Sequence, residues 1–250
     1  MRRRTWLPLA VVTIVTSTLL VAPAAMAAPD SEQAEARISA KLASRITNAD
    51  LGRDIAVAVI DGSTNRTVFA KRASKTMRPA STMKLVTAAS ALATLGADAR
   101  FPTRVLRGAA PGELIVQGGG DPLLTSADLR ALADRAAVAL DASVPVTVHP
   151  DLGRFPAPSL GPGWTRGYIP ATASPVVPLA RVGDYSTNPS ARAMRVFAKQ
   201  LRTHGLTVTV GDPVTATADA PVVAEFAGHS VREAVHLMLR ESENNVAEIL

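Results

Sequence analysis

Helical and strand-like hydrophobic patterns follow one another along the chain from Ser31. Apolar residues at four-residue spacing predict a helix from Ser31 to about Ile46. The stripe consists of Ala34, Ile38, Leu42 and Ile46. Next, Ile- and Val-rich residues at 54–61 and apolar residues at 66–71 flank a Gly-Ser-Thr-Asn cluster, which predicts a β-hairpin. The first hundred residues are therefore predicted to contain both helix and strand.

A third apolar segment, Ser81 to Leu95, predicts a helix that stops at Gly96. We expect its buried positions to be Met83, Val86, Leu92 and Leu95. From about Phe101 the pattern changes to short strands that alternate with two helices. The predicted strands are 103–106, 113–117, 144–148 and 206–210, and the helices are 126–140 and 189–204. A capping box of Ser230 and Glu233 then begins a helix that runs to about Arg240.

The first residues have the pattern of a secretory signal peptide. Three arginines at 2–4 precede an apolar run from Leu7 to Val21, and small residues at Ala25 and Ala27 define a cleavage site. The apolar run is short for a membrane span. We therefore expect residues 1–27 to direct export, by either the general or the twin-arginine route, and the remainder to act outside the cytoplasm, in the periplasm or cell-wall space.

Composition excludes several classes of protein. The formal net charge is +6, three of the positive charges lie in the predicted signal peptide, and aromatic residues make up only 4% of the chain. The basic residues are scattered, so we expect no nucleic-acid partner. There is no cysteine, which excludes disulfides and thiolate metal ligands, and an exported chain of this kind must be held together by packing. His229 and His236 lie seven residues apart on or beside one helix and form no recognisable metal-binding motif, so we predict no metal and no cofactor.

In the sequence Ser81-Thr82-Met83-Lys84, a serine and a lysine are three positions apart, which is close to one helical turn. Residues three apart on a helix project to the same side, so the Ser81 hydroxyl and the Lys84 amine can form a hydrogen bond. The start of a helix also favours a developing alkoxide on Ser81. Apolar neighbours Met83, Leu85 and Val86 are expected to shield Lys84 from water. Such a lysine can take the serine proton without any histidine.

A second polar group, Ser242-Glu243-Asn244, follows the capped helix and precedes another short helix. Taken alone, the Ser81–Lys84 group could be an ordinary helix start, because serine is common there. The Ser242–Asn244 group could be an ordinary polar loop. Together and in this order they match two of the three motifs of penicillin-binding proteins and class A β-lactamases. The pair therefore favours an acyl-transfer enzyme.

At these residues the chain resembles the D-alanyl-D-alanine carboxypeptidase/endopeptidase family, the low-molecular-mass class C penicillin-binding proteins. The resemblance extends from Ile55 to Leu250 and includes a Gly-Gly-Gly-Asp-Pro block that helps to separate the family from β-lactamases. The similar blocks are 55–61, 78–89, 118–123 and 242–248.

The resemblance implies a role for each motif residue. Ser81 is the acylated nucleophile, Lys84 is its base, Ser242 relays a proton toward the leaving amine, and Asn244 donates to the amide backbone of the substrate. The implied substrate is a peptidoglycan stem peptide that ends in D-Ala-D-Ala, and β-lactam antibiotics are the implied covalent inhibitors. Peripheral association with the membrane is left open.

Two features depart from the family pattern. Glu243 stands where the family usually has aspartate, at a position that supports the loop. No Lys-Thr-Gly motif follows Asn244, although in the family this motif binds the substrate carboxylate and contributes to the oxyanion hole. We therefore expect the chain to be truncated at its C-terminal end, without the last part of its catalytic domain.

The implied fold is α+β. A serine β-lactamase/transpeptidase-like domain of antiparallel sheet and helices is expected at 28–98 and 226–250, interrupted by an inserted strand-rich domain at 99–225. Two other functions compete with a serine D-Ala-D-Ala carboxypeptidase. A β-lactamase needs a carboxylate to activate water, and no segment resembles the loop that carries it. A non-catalytic envelope-binding protein or inactive fragment is the other alternative, favoured only by the missing third motif.

Overall fold

The computed structural model describes residues 29–250, so the predicted signal peptide lies outside the described residues. The chain divides into two compact units at Arg78/Pro79. Among the described residues, no helix is both long and apolar enough to cross a membrane. The predicted domain boundaries at 98/99 and 225/226 stay a prediction, and each unit is described by itself.

The first unit contains a helix and the predicted hairpin. Its elements are α1 (Pro29–Arg45), β1 (Val57–Ile60) and β2 (Thr67–Lys71), and the two strands pair antiparallel. At the turn, the side-chain and backbone hydrogen bonds from Ser63 lower the pKa of Asp61 to about 2. Of the predicted apolar stripe, Ile46, which directly follows α1, is buried but Ile38 is exposed, so the stripe does not form a continuous buried face.

The second unit is built on a five-stranded mixed sheet in the order β6-β5-β4-β3-β7. The strands are β3 (Thr103–Arg107), β4 (Glu113–Gln117), β5 (Val146–Asp151), β6 (Val208–Val210) and β7 (Val222–Phe226). Strand β3 pairs antiparallel with β4 and β7, whereas β4-β5 and β5-β6 are parallel. The sequence pattern predicts every one of these strands except β7.

Helices connect the parallel strands, as a parallel pair requires a long crossover. Helix α3 (Ser126–Ala137) lies between β4 and β5 in the chain, and α4 (Pro189–Thr203) lies between β5 and β6. Their inward faces and the sheet form one apolar core with Phe197 at its centre, fully buried. The other large members of this core are Leu114, Leu124, Leu129, Leu132, Leu179, Met194 and Leu201.

A second apolar cluster joins the two helices that carry the predicted motifs. These are α2 (Met83–Leu95) and α5 (Val231–Glu241), and the short α6 (Asn244–Ile249) follows α5 after two residues. The buried members of this cluster are Ala88, Ala91, Leu123, Val231, Ala234, Val235, Met238 and Val246. Its packing brings the start of α2 close to the end of α5.

The expectation that the large apolar residues of α2 are buried is wrong. Met83, Val86, Leu92 and Leu95 are all exposed, whereas the buried residues of the helix are Lys84, Ala88 and Ala91. The helix is apolar around most of its circumference, so its pattern does not select one face. Small alanine side chains allow α2 and α5 to approach closely, and this leaves the larger residues on the other faces.

Candidate active site

Ser81 lies on a single turn of 3₁₀-helix, Ala80–Thr82, that leads directly into α2. Its side chain is exposed, and the backbone of Ala80 before it has a φ of 47°, in the left-handed region. Lys84 lies one turn further on and is only 8% exposed. The distance from Lys84 Nζ to Ser81 Oγ is 3.4 Å, so the predicted pair is in contact.

Ser242 is brought to the same point by the end of α5. It is the C-cap residue of that helix, with a φ of 56°, and its own N–H donates to the Met238 carbonyl. The left-handed turn places Ser242 Oγ at 2.9 Å from Ser81 Oγ and 3.4 Å from Lys84 Nζ. Two residues that are far apart in sequence therefore present their hydroxyls to one amine.

Asn244 completes the cluster from the first residue of α6. Its Oδ1 accepts a hydrogen bond of 2.7 Å from Lys84 Nζ, and its Nδ2 donates at 3.1 Å to the carbonyl of Thr172. Lys84 Nζ lies within hydrogen-bond distance of Ser81, Ser242 and Asn244, and these three contacts fix the position of its nitrogen between the two motifs.

The shielding of Lys84 has a different origin from the one expected. The side chains of Met83, Leu85 and Val86 are about half exposed or more, so they do not cover the amine. The lysine is buried instead beneath the polar groups of Ser242 and Asn244, which arrive from α5 and α6. Helix neighbours at i±1 and i+2 point to other faces, which is why they cannot cover the Lys84 side chain.

A segment far from both motifs supports α6, and sequence reasoning did not identify it. The Ser174 N–H donates to Asn245 Oδ1 at 3.1 Å, and Asn245 Nδ2 donates back to Ser174 Oγ at 3.0 Å. Trp164 Nε1 donates to Glu248 Oε1 at 2.8 Å. The Pro/Gly-rich stretch 149–178 has little periodicity, so no local sequence pattern signals this role.

The Gly-Gly-Gly-Asp-Pro block holds the other end of α5. The Asp121 carboxylate is buried and accepts from Leu123 N (2.9 Å), His229 N (3.0 Å) and His229 Nδ1 (2.9 Å). His229 directly precedes Ser230, the residue that caps α5 with Glu233 as predicted. A Cβ at Gly119 would overlap the carbonyl oxygen of Pro102, so the block also requires glycine for close packing.

Replacement of Asp121 with alanine is expected to lower the free energy of unfolding by about 3 kcal/mol, because it leaves two backbone donors without their acceptor in a buried site. Urea unfolding of the variant and the parent measures the difference. Asp98→Ala is the matched control, since Asp98 is an exposed residue on the same unit. Equal unfolding midpoints for Asp121→Ala and the parent would show that the block does not anchor α5.

No group of three or more metal-ligating side chains occurs within residues 29–250. The candidate site is thus a cluster of two hydroxyls, one amine and one amide. Such a cluster provides a nucleophile and an adjacent base, the combination that covalent acyl transfer uses.

Comparison with known proteins relates this site to a family. Over 243 residues the chain is 28% identical to a carboxypeptidase of Mycobacterium tuberculosis, an alignment that covers 86% of the chain and 51% of the relative. The chain spans about half the length of the curated relatives it matches over most of its own sequence.

Solved structures show a similar fold. Penicillin binding protein 4 of Haemophilus influenzae matches with a TM-score of 0.62 and 19% identity, over 78% of this chain and 60% of that one. The structure of that protein in complex with a β-lactam matches with a TM-score of 0.53 and 20% identity, over 77% of this chain and 59% of that one. This likeness confirms the α+β, transpeptidase-like fold.

A family model provides the assignment. The model of the D-Ala-D-Ala carboxypeptidase 3 (S13) family matches residues 38–180, more than half of the chain, and this range includes Ser81 and Lys84. The predicted resemblance is confirmed: the chain belongs to the D-Ala-D-Ala carboxypeptidase 3 (S13) family.

Proposed function

We propose that this chain carries the nucleophile and the base of a serine-type D-Ala-D-Ala carboxypeptidase that acts on peptidoglycan stem peptides. The observation that supports the proposal most strongly is the convergence of two motifs on one amine. Ser81 Oγ and Ser242 Oγ each lie 3.4 Å from Lys84 Nζ and 2.9 Å from each other. Family membership supports the same reaction.

In the acylation step, Ser81 Oγ attacks the carbonyl carbon of the penultimate D-Ala. The neutral amine of Lys84 takes the hydroxyl proton, and an ester to Ser81 forms as the peptide C–N bond breaks. The departing amine of the terminal D-Ala needs a proton. Ser242 Oγ lies 3.4 Å from Lys84 Nζ and 2.9 Å from Ser81 Oγ, so it can pass this proton from the lysine to the leaving nitrogen.

In the second step, water hydrolyses the ester and restores the Ser81 hydroxyl. Lys84 is again the group placed to take the proton, now from water. A β-lactam enters the same first step, but its leaving amine stays tethered to the acyl group and the ester persists. The Haemophilus influenzae protein, which is structurally similar, was solved in complex with a β-lactam, and this supports β-lactams as ligands of the proposed site.

The same acylation and hydrolysis steps would also give an endopeptidase activity. In a cross-linked stem peptide the leaving amine belongs to the neighbouring stem, so only the leaving group differs. Because peptidoglycan lies outside the cytoplasm, the proposal places the protein in the periplasm or cell-wall space, in agreement with the predicted signal peptide.

Release of D-Ala from a synthetic stem pentapeptide tests the proposal. We expect the natively produced protein to release D-Ala and its Ser81→Ala variant to lose at least about a thousandfold in rate. Ser90→Ala is the matched control, because Ser90 is an exposed serine of the same helix and outside the site. Undiminished release by Ser81→Ala would contradict the proposal. Fast hydrolysis of a chromogenic cephalosporin would favour a β-lactamase instead.

A further inference from the structure

We propose that Tyr185 is a positioning residue, which holds Ser242 and Asn244 in place by donating a hydrogen bond to Glu243 between them. The expected effect of Tyr185 on the reaction rate rests on the proposed function, whereas the contact between Tyr185 and Glu243 does not depend on it. Tyr185 belongs to a turn before α4 and is distant in sequence from both motifs. Its only described link to the reacting groups passes through Glu243.

Ser242 adopts a conformation that requires support. A residue other than glycine is strained in the left-handed region, and it persists there only where its surroundings hold it. The Ser242 φ of 56° directs its hydroxyl at Ser81. On the backbone, the Glu243 N–H donates to the Met238 carbonyl at 3.2 Å. The Glu243 side chain offers a second attachment point for the same turn.

That attachment is the Tyr185 hydroxyl. Tyr185 Oη donates a hydrogen bond to Glu243 Oε2. The other carboxylate oxygen, Oε1, is buried and has no partner among the described residues. A partly buried carboxylate whose buried oxygen is unpaired depends strongly on the donor that its other oxygen has. Loss of the Tyr185 hydroxyl would therefore release Glu243 toward solvent and move the residues on either side of it.

Tyr185 is itself fixed by its neighbour in the chain. The Asp184 side chain is almost completely buried, pairs with Arg181 Nη2 at 2.7 Å and lies 3.6 Å from Arg192 Nη1. It also accepts from the Ser186 N–H at 3.1 Å, which closes the turn around Tyr185. The ion-paired Asp184 therefore fixes the turn that carries Tyr185, and the Tyr185 hydroxyl in turn holds Glu243, the neighbour of Ser242.

The Glu243 side chain in this contact explains a departure from the family pattern. Glutamate is one methylene longer than the aspartate usual at this position, and its carboxylate reaches the Tyr185 hydroxyl. Burial raises the pKa of Tyr185 well above its ordinary value, and the hydrogen bond and charge of Glu243 raise it further. The phenol therefore stays protonated and able to donate throughout the range in which the protein works.

A double-mutant cycle tests the positioning role. We expect Tyr185→Phe and Glu243→Gln each to slow the acylation of Ser81 by a penicillin about tenfold, with little change in the dissociation constant of the initial complex. The double variant should be no slower than either single one, because both remove the same contact. Glu225→Gln, the same chemical change on an exposed residue, should leave the rate unchanged.

A rate for Tyr185→Phe equal to that of the parent would overturn the proposal, and so would effects that multiply in the double variant. A loss explained by unfolding would appear as a lower thermal midpoint. In that case the acylation rate is compared at a temperature where each variant is fully folded, and recovery of the parent rate there would also overturn the positioning role.

A spectroscopic measurement detects the contact without any activity. The chain has two tyrosines, so Tyr168→Phe leaves Tyr185 as the only phenol. Its tyrosinate absorbance should appear only well above the ordinary pKa of about 10, and adding Glu243→Gln should lower that midpoint while circular dichroism stays native. An ordinary midpoint in the folded single variant would refute the contact. If the parent takes up no penicillin, the proposed function fails, and this titration alone decides the inference.

Discussion

Replacement of Lys84 with methionine is expected to slow the acylation of Ser81 by a penicillin about a thousandfold. A positioned general base contributes about 10²–10⁴ to the rate of such a step. In this site the lysine amine is also the group that the two hydroxyls and the Asn244 amide share. Methionine has a similar length but cannot accept a proton. The time course of covalent labelling, followed by intact mass, gives the rate directly.

Two further variants distinguish a role of Lys84 as a base from a role of its positive charge alone. Lys84→Arg keeps the charge but cannot give up its proton at ordinary pH, so it should be as slow as Lys84→Met. Lys199→Met makes the same substitution at an exposed position of α4 and should label at the parent rate. Rapid labelling of Lys84→Arg would mean that the lysine acts through its charge, and the proposed mechanism would be wrong.

Replacement of Asp184 with alanine is expected to lower the free energy of unfolding by about 3–4 kcal/mol at neutral pH. The buried Asp184 carboxylate accepts hydrogen bonds from the Arg181 guanidinium and from the Ser186 N–H, and the loss of both, one of them charge-assisted, costs about this amount. The Asp184 side chain is 1% exposed and faces Arg181 and Arg192. Chemical denaturation of both proteins measures the loss. Asp98→Ala removes an exposed ion pair and should cost less than about 1 kcal/mol.

The effect of Asp184 should also depend on pH. Burial alone would raise the pKa of this carboxyl, but hydrogen bonds from Ser186 and Arg181 outweigh it, so the pKa is lower in the folded protein. A lowered folded pKa means that this stabilisation is present above the unfolded value, about 3.9, and is lost as the pH falls through the folded one. The difference between parent and Asp184→Ala should therefore shrink below about pH 4. A difference that grows on acidification would contradict this assignment.

The local elements could largely be predicted from the sequence. The capping box at Ser230 and Glu233 occurs as predicted, and the hairpin turn lies at the predicted cluster. Strand β7 could not be predicted, because its five residues include an alanine and a glutamate and show no clear alternation. Its pairing with β3 depends on a partner more than a hundred residues away, which no local pattern encodes.

Within the site, motif spacing predicted which residues meet but not what surrounds them. Ser81 and Lys84 lie three residues apart on successive helical turns, so their contact follows from helix geometry. Tertiary packing, in contrast, determines the contacts of Thr172 with Asn244 and of Tyr185 with Glu243. The error about Met83, Leu85 and Val86 has the same origin, because the groups that bury Lys84 come from another helix.

The central claim is that Ser81 is the nucleophile, and a mapped covalent adduct tests it most directly. The natively produced protein is weighed intact before and after incubation with a penicillin, and any adduct is located by peptide mapping. The account predicts a mass increase of one penicillin, carried by the peptide that contains Ser81. No adduct, or an adduct on any other residue, would contradict it.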